Sequence, residues 1–250
     1  MNPRVTVFMP VYDSEAYLRE AIDSILSQSF GDLELVVADD GSSDGSLAIA
    51  RDAAQADARV RVLALPHGGE VAARDAALAV SRGELLLNHD SDDVSLPGKL
   101  ETLVTYLAEH PRTAIVGCLA DYFDDAGRTL GGPALETEPG RIRTTFGRAN
   151  AIVNSAALIR RQVFRAIGGY REEYRSADDY DFFSRALQAG FELANVPSVL
   201  HRIRLHGESV SARRTMRQAD LVYRIQQDYL RSGAASGWRT PACPAPGAPA

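Results

Sequence analysis

Leu33-Glu34-Leu35-Val36-Val37-Ala38-Asp39-Asp40-Gly41-Ser42 is the stretch on which the fold turns. From Leu33 to Ala38 only Glu34 is polar, a short continuous apolar run that reads as a strand buried on both faces. Such strands belong to parallel sheets sandwiched between helices. The run passes directly into two carboxylates and a glycine. In an open parallel sheet, ligands bind beyond the carboxyl ends of the strands. The acids therefore sit where a ligand site is expected.

The same grammar extends outward on both sides. Arg4 to Met9 is a strand stopped by Pro10, and Ser14 opens a helix with Leu18, Ala21, Ile22, Ile25 and Leu26 at helical spacing. After the Ser/Asp/Gly loop, an alanine-rich helix is predicted over 46–56 and a strand over 60–65. His67-Gly68-Gly69 reads as an ordinary turn before a helix over 70–81, and it matches neither phosphate-loop pattern. Glu84 to Asn88 is a further strand, ending at His89-Asp90-Ser91-Asp92-Asp93, and Pro97 suits the first turn of the next helix. Strand and helix in alternation predict an α/β fold with a mostly parallel sheet.

Later segments are less regular. Thr113 to Phe123 reads as a long strand with a turn at 124–127, residues 131–138 as a loop, 151–159 as a strand and 179–189 as a helix. Met216, Ala219, Val222 and Tyr223 mark a last amphipathic helix. The expected organisation is a regular half over 1–115, a less regular half of the same domain over 116–232, and a disordered Gly/Ala/Pro/Ser tail over 233–250. Trp238 in that tail reads as incidental.

At 250 residues with 45% apolar and 24% charged residues, the chain builds a core of normal size. A net charge of −6 argues against a nucleic-acid partner. Two cysteines, Cys118 and Cys243, build no disulfide framework and fit a reducing compartment. Neither a leader nor an 18-residue apolar run is evident, so a cytoplasmic protein is expected, with peripheral attachment to the inner face of a membrane left open.

Two acidic clusters should face one crevice. Asp39 and Asp40 offer a carboxylate acceptor for a nucleobase imide N–H, although a turn feeding a helix N-cap explains them equally. Asp90, Asp92 and Asp93 crowd three carboxylates into four residues. Their mutual repulsion calls for a cation or raised pKa values. Hard oxygen ligands suit Mn²⁺ or Mg²⁺, with substrate phosphates completing the shell. The alternative is a solvated loop.

Val5-Thr6-Val7-Phe8-Met9-Pro10-Val11-Tyr12, Ser24-Ile25-Leu26-Ser27-Gln28-Ser29-Phe30 and Asp39-Asp40-Gly41-Ser42-Ser43-Asp44 resemble family 2 glycosyltransferases of the GT-A fold. So do Ala73-Arg74-Asp75, Asp90-Ser91-Asp92-Asp93, Gly168-Gly169-Tyr170 and Asp178-Asp179-Tyr180-Asp181, in the family's order and spacing. Two departures are Asp13, where Asn is common, and Asp178, where the family's acid motif has Glu.

The resemblance implies an inverting, metal-assisted transfer of a sugar from a nucleoside diphosphate donor, UDP-linked, in bacterial-type cell-surface glycan synthesis. It gives the half over 1–115 the nucleotide-sugar-binding role and the half over 116–232 the acceptor and catalytic role. Pro10, Val11 and Tyr12 would line the base and ribose pocket, with Asp40 and its neighbour Asp39 at the base. Arg74 would lie near the phosphates. Asp90 would hold the ribose or metal waters and Asp92 the metal. Asp179 would be the general base, with Asp93 and Asp178 in support. In Arg202, Arg204, His206, Ser209 and Ser211 the pattern resembles a loop closing over the diphosphate. There His206 would be a metal ligand or phosphate donor, and Arg202 and Ser211 supporting residues; a solvated basic loop is the plain alternative. The acceptor hydroxyl, on a glycan, a lipid-linked sugar or another molecule, has Tyr122, Arg148, Asn154 and Tyr174 as unranked candidates. Oligomeric state stays open. Two rival readings are a nucleotidyltransferase, which would want a glycine- and lysine-rich triphosphate loop absent from residues 10–17, and a non-catalytic sugar-nucleotide-binding module.

Overall fold

In β1 (Val5–Val11) and β2 (Leu33–Asp39) every residue is buried, as the continuous apolar runs require. A computed structural model describes residues 2–206 and 216–235. Four parallel strands form one side of the sheet in the order β3 (Val60–Ala64), β2, β1, β4 (Leu85–Asn88). Val5 lies opposite both Leu33 and Leu85, and Val11 opposite Asp39. That register brings the carboxyl ends of β1, β2 and β4 to one edge.

The sheet continues through β8 (Leu158–Arg160), β6 (Thr113–Phe123), β9 (Glu192–Arg204) and β5 (Val94–Ser95), with β7 (Thr129–Gly131) paired to β6. β8 is antiparallel to both β4 and β6, whereas β9 runs parallel to β6. A single sheet thus crosses the expected division at residue 115.

Strand side chains alternate between two cores, as a period of two demands. Phe8, Val36 and Leu86 face α3 (Glu70–Val80), α7 (Asp178–Gln188) and α8 (Met216–Arg231), while α5 (Pro139–Thr145) and α6 (Arg161–Ile167) also contribute to this side. Val7, Met9, Leu35 and Leu87 face α1 (Leu18–Leu26), α2 (Ser46–Ala56) and α4 (Lys99–Glu109).

Several expectations need correction. The helix expected from Ser14 begins at Leu18; Ser14 serves through its carbonyl, which accepts from the Leu18 N–H at 2.9 Å. Its hydroxyl instead meets Ser91 Oγ at 2.7 Å. Pro97 precedes α4, because Gly98 takes a left-handed φ of 80° before Lys99. The strand expected over 151–159 splits into a 3₁₀ turn, Asn154–Ala156, and β8. The thirteen-residue β9 was not foreseen, since Pro197 and Ser198 interrupt its pattern. The ladder passes from Cys118↔Val196 to Leu119↔Val199, so a bulge absorbs the proline, which has no N–H to give. Residues 233–235 form a turn after α8 with Ala234 packed in the core, so packed structure passes the expected boundary at 232. The remainder of the expected tail, with Trp238, lies outside the described residues.

Gly83 abuts the backbone of β1. A Cβ there would stand 2.4 Å from Thr6 N and 2.7 Å from Val5 C. Gly83→Ala should cost roughly 1–3 kcal/mol, read as a lowered midpoint of urea unfolding.

Candidate active site

The edge where β1, β2 and β4 end opens into a cleft of about 680 Å³, a size usual for ligand pockets. Pro10, Val11 and Tyr12 form its wall at the end of β1. Asp40, just past β2, lines it as well, and its main-chain N–H donates to Val11 O at 2.8 Å. The Asp40 carboxylate is buried and accepts from Gly68 N at 2.7 Å and Gly69 N at 2.9 Å. His67 Nδ1 lies 3.0 Å from the same carboxylate, with the ring against Tyr12 at 4.4 Å between centroids. The stretch 67–69, read as an ordinary turn, is therefore part of the cleft. Gly41 must be glycine there: its φ is 73° and a Cβ would lie 2.9 Å from His67 N. Asp39 is buried but does not line the cleft; its Oδ2 accepts from Ser42 N at 3.3 Å, and its Oδ1 has no partner.

Beyond β4, Asp90, Ser91 and Asp92 line the cleft. Asp90 accepts from Asn88 Nδ2 at 3.0 Å. Burial first, and then the charge of Asp93, push Asp90 well above the carboxylate range and raise Asp92 too. Asp92 Oδ2 lies 2.9 Å from His206 Nε2, and the His206 ring rests against Tyr17. Asp93 turns away. Its oxygens meet Ser155 Oγ at 2.7 Å, His201 Nε2 at 2.9 Å and Arg204 N at 3.1 Å, all buried. Three crowded carboxylates thus become two in the cleft and one beneath it.

A hard carboxylate oxygen and an imidazole nitrogen, side by side, suit a divalent cation that keeps waters and takes phosphate oxygens. The Asp92 carboxylate fits Mn²⁺ or Mg²⁺ in that sense, and the His206 nitrogen disfavours Mg²⁺, which takes oxygen ligands. Among the described residues no group of three His, Cys, Asp or Glu side chains is gathered for a metal.

Across the cleft stand Arg74 on α3 and the first turn of α7. Arg74 is buried and pairs with Glu70, one helical turn earlier, and with Asp178. Burial opposes its charge, but Glu70, Asp178 and Asp90 outweigh it and raise its pKa. Asp179 lines the cleft, with Oδ1 accepting from Tyr180 N at 2.7 Å and Oδ2 from Asn150 Nδ2 at 3.0 Å. Burial, followed by the charge of Asp178, lifts it from 3.8 to about 6.

The supporting basic residues are rearranged. Arg202, two residues before the end of β9, donates to Gly127 O at 2.9 Å and packs on Phe123, and it does not line the cleft. Arg204 lines the cleft instead, donating to Asp92 O at 3.1 Å and pairing with Glu20. Ser209 and Ser211 lie outside the described residues. Of the four acceptor candidates only Asn154 lines the cleft, beside Arg175, Ser176 and Gln218. These three, and Asn150, carry no motif in the sequence; Glu70, four residues before Arg74, was legible as a helical ion-pair partner.

This curled, mostly parallel sheet with acids at its strand ends is a GT-A fold. Residues 6–168 match the profile of Glycosyl transferase family 2, and the chain belongs to that family. It is an enzyme of the glycosyltransferase class. It is 31% identical over 218 residues to the Bacillus subtilis (strain 168) protein EpsE, whose name assigns it provisionally to the glycosyltransferases; the match covers 85% of this chain and 77% of EpsE. Among solved structures, S. aureus TarS 1–349 in complex with UDP-GlcNAc superposes with a TM-score of 0.69 at 21% identity, over 95% of this chain and 74% of that one. The mannosyltransferase PcManGT from Pyrobaculum calidifontis, in complex with GDP-Man and Mn²⁺, gives a TM-score of 0.66 at 20% identity, over 95% and 76%. Asp178 and Asp179 lie beyond the stretch matched by the family profile.

Arg74→Met would leave Asp178 buried without its partner. It should destabilise the fold by roughly 3–5 kcal/mol, measured as the loss of unfolding free energy in denaturant.

Proposed function

We propose that this enzyme moves a sugar from a nucleoside diphosphate donor, UDP-linked, to an acceptor hydroxyl with inversion, and that Asp179 is the general base. The observation that carries the reading is the opening of both acidic strand ends and Asp179 onto one cleft. The donor class rests on the family and on the nucleotide sugars named for TarS and PcManGT.

Each side chain has a distinct task. Tyr12, with Pro10 and Val11, offers the face on which a base packs. Asp40 holds the 67–69 turn and, since a carboxylate has about four acceptor sites, keeps capacity for an imide N–H. Arg204 and Arg74 place positive charge beside the diphosphate. Asp92 and His206 would hold the divalent cation, which when bound offsets charge on the departing diphosphate.

The two acids at the start of α7 are not equivalent. Asp178 is committed to Arg74. Asp179 accepts only two neutral N–H groups and, at about 6, is ionised at neutral pH yet basic enough to take a proton. A hydroxyl within about 3 Å of it would lose its proton as its oxygen attacks the anomeric carbon. Attack opposite the leaving diphosphate inverts that carbon, through an oxocarbenium-like state. Among the described residues no helix is long and apolar enough to cross a membrane; association at a membrane surface would come from the acceptor.

Asp179→Asn should lower turnover by roughly 10²–10⁴-fold while leaving nucleotide affinity near that of the parent. In the parent, kcat/KM should fall tenfold per pH unit below about 6. The same group yields a stability signature. Its folded pKa lies above its ordinary value, so the folded state holds the extra proton and stability falls as pH rises from about 4 to about 6. Asp179→Asn should therefore raise Tm above pH 6 and not at pH 4. A variant as active as the parent would remove Asp179 from the mechanism. For the cation, Asp92→Ala should make UDP affinity the same with and without Mn²⁺ in calorimetry; a persisting Mn²⁺ dependence would contradict the role of Asp92.

A further inference from the structure

Beneath the cleft lies a buried polar chain that the reaction does not use directly. Lys99, at the start of α4, is wholly enclosed. Its ammonium has three N–H donors and no acceptor, and it finds three partners: Ser155 O at 2.7 Å, His201 Nδ1 at 3.0 Å and Ser95 Oγ at 3.1 Å.

Those contacts order the protons. His201 Nδ1 must present a lone pair to Lys99, so the proton of the neutral ring sits on Nε2. From there it points to Asp93 Oδ2 at 2.9 Å, which also accepts from Ser155 Oγ at 2.7 Å. Ser95 Oγ, accepting from Lys99, turns its hydrogen to His89 Nε2 at 3.0 Å. His89 then carries its proton on Nδ1 and donates to Asp90 O at 2.8 Å. None of these side chains has a buried polar atom without a partner. Burial disfavours charge on both imidazoles and lowers Lys99 to about 8, and the contacts above set the order of the protons.

Each end of this chain touches the donor cleft. His89 holds the Asp90 carbonyl. Asp93 Oδ1 accepts from Arg204 N, and the Arg204 side chain returns to Asp92 O. Ser155 follows Asn154, which lines the cleft. Burying a lysine, two histidines and an aspartate is a costly way to fill a core. Apolar residues would fill the space without tying the Asp90–Asp93 loop to β9.

We propose that Lys99, His201, Ser155 and His89, acting with Asp93, are positioning residues: a proton-ordered strut that holds the loop carrying Asp90 and Asp92 against the end of β9, and so sets Asp92, Arg204 and His206 for the donor. The proposal rests on the donor site described under Proposed function. Groups that orient metal-binding side chains in this way typically change metal affinity or activity roughly 10–100-fold when removed.

Two measurements on the full chain test it. Long-range ¹⁵N–¹H correlation of the five histidines, assigned with His201→Gln and His89→Gln, should find His201 neutral with its proton on Nε2 and His89 neutral with its proton on Nδ1. The opposite tautomers, or a charged ring at neutral pH, would overturn the proton order and the proposal. Second, Mn²⁺ is titrated in the presence of UDP, and separately of GDP, with calorimetric detection. Lys99→Met should raise the Mn²⁺ needed for half-saturation by roughly 10–100-fold. The comparison is Glu34→Gln, which weakens a buried cluster with Thr6, Arg61 and Arg82 at the far end of the strands; it should lower Tm and leave the Mn²⁺ requirement unchanged. If Lys99→Met does not fold, Ser155→Ala, which removes one hydroxyl, takes its place. A folded variant with the parent's Mn²⁺ requirement sinks the strut while the donor site stands. A parent that binds neither nucleotide overturns the donor reading itself, and the strut's purpose with it.

Discussion

Everything in the cleft depends on the parallel pairing of β1 with both β2 and β4. Because the three strands start in register and run the same way, their carboxyl ends open on one edge, β2 ending opposite Val11 and β4 opposite Phe8. Acids separated by about fifty positions in the sequence then line one cleft. That concentration of negative charge is the physical problem the rest of the site solves. Arg74 and Arg204 supply part of the answer from α3 and β9, and raised pKa values at Asp90, Asp92 and Asp179 supply more. In the proposed function, a divalent cation beside Asp92 and the donor's diphosphate would answer the remainder.

A division of labour runs through the paired acids. In Asp39-Asp40, Asp92-Asp93 and Asp178-Asp179, the two carboxylates of each pair do different work. Asp39 and Asp93 are held away from the cleft; Asp178 lines it but is bound to Arg74. Asp40, Asp92 and Asp179 keep acceptor capacity toward it. In the last two pairs the committed member also pushes its partner's pKa upward through its charge. The support and the tuning of the chemistry come from the same neighbour.

Much of this was legible in the residues. The runs Leu33–Ala38, apolar but for Glu34, and Leu85–Leu87 announced buried parallel strands, and the acids after them marked the cleft edge. The alanine-rich helix followed from spacing and composition, whereas Asp178 and Asp179 were singled out by the family resemblance. These are local properties: burial on both faces, helical period and turn residues are each written within a few positions of the chain.

Side-chain direction and distant partners were not local, and tertiary structure alone decided them. Nothing near Asp93 says that it turns down toward His201 and not up with Asp92, because its partners come from β9 and the 154–156 turn. Pro197 hid β9, since only pairing with β6 shows that a bulge accommodates it; with β9 went the distinction between Arg202 and Arg204. Lys99 and His201 stand 102 positions apart and carry no motif, yet they meet at 3.0 Å in the core. The sequence by itself determined the four parallel strands β1 to β4 and the acids that follow β2 and β4. Which acid faces the ligand was decided by long-range hydrogen bonds, whose energy depends on geometry that no short stretch of chain contains.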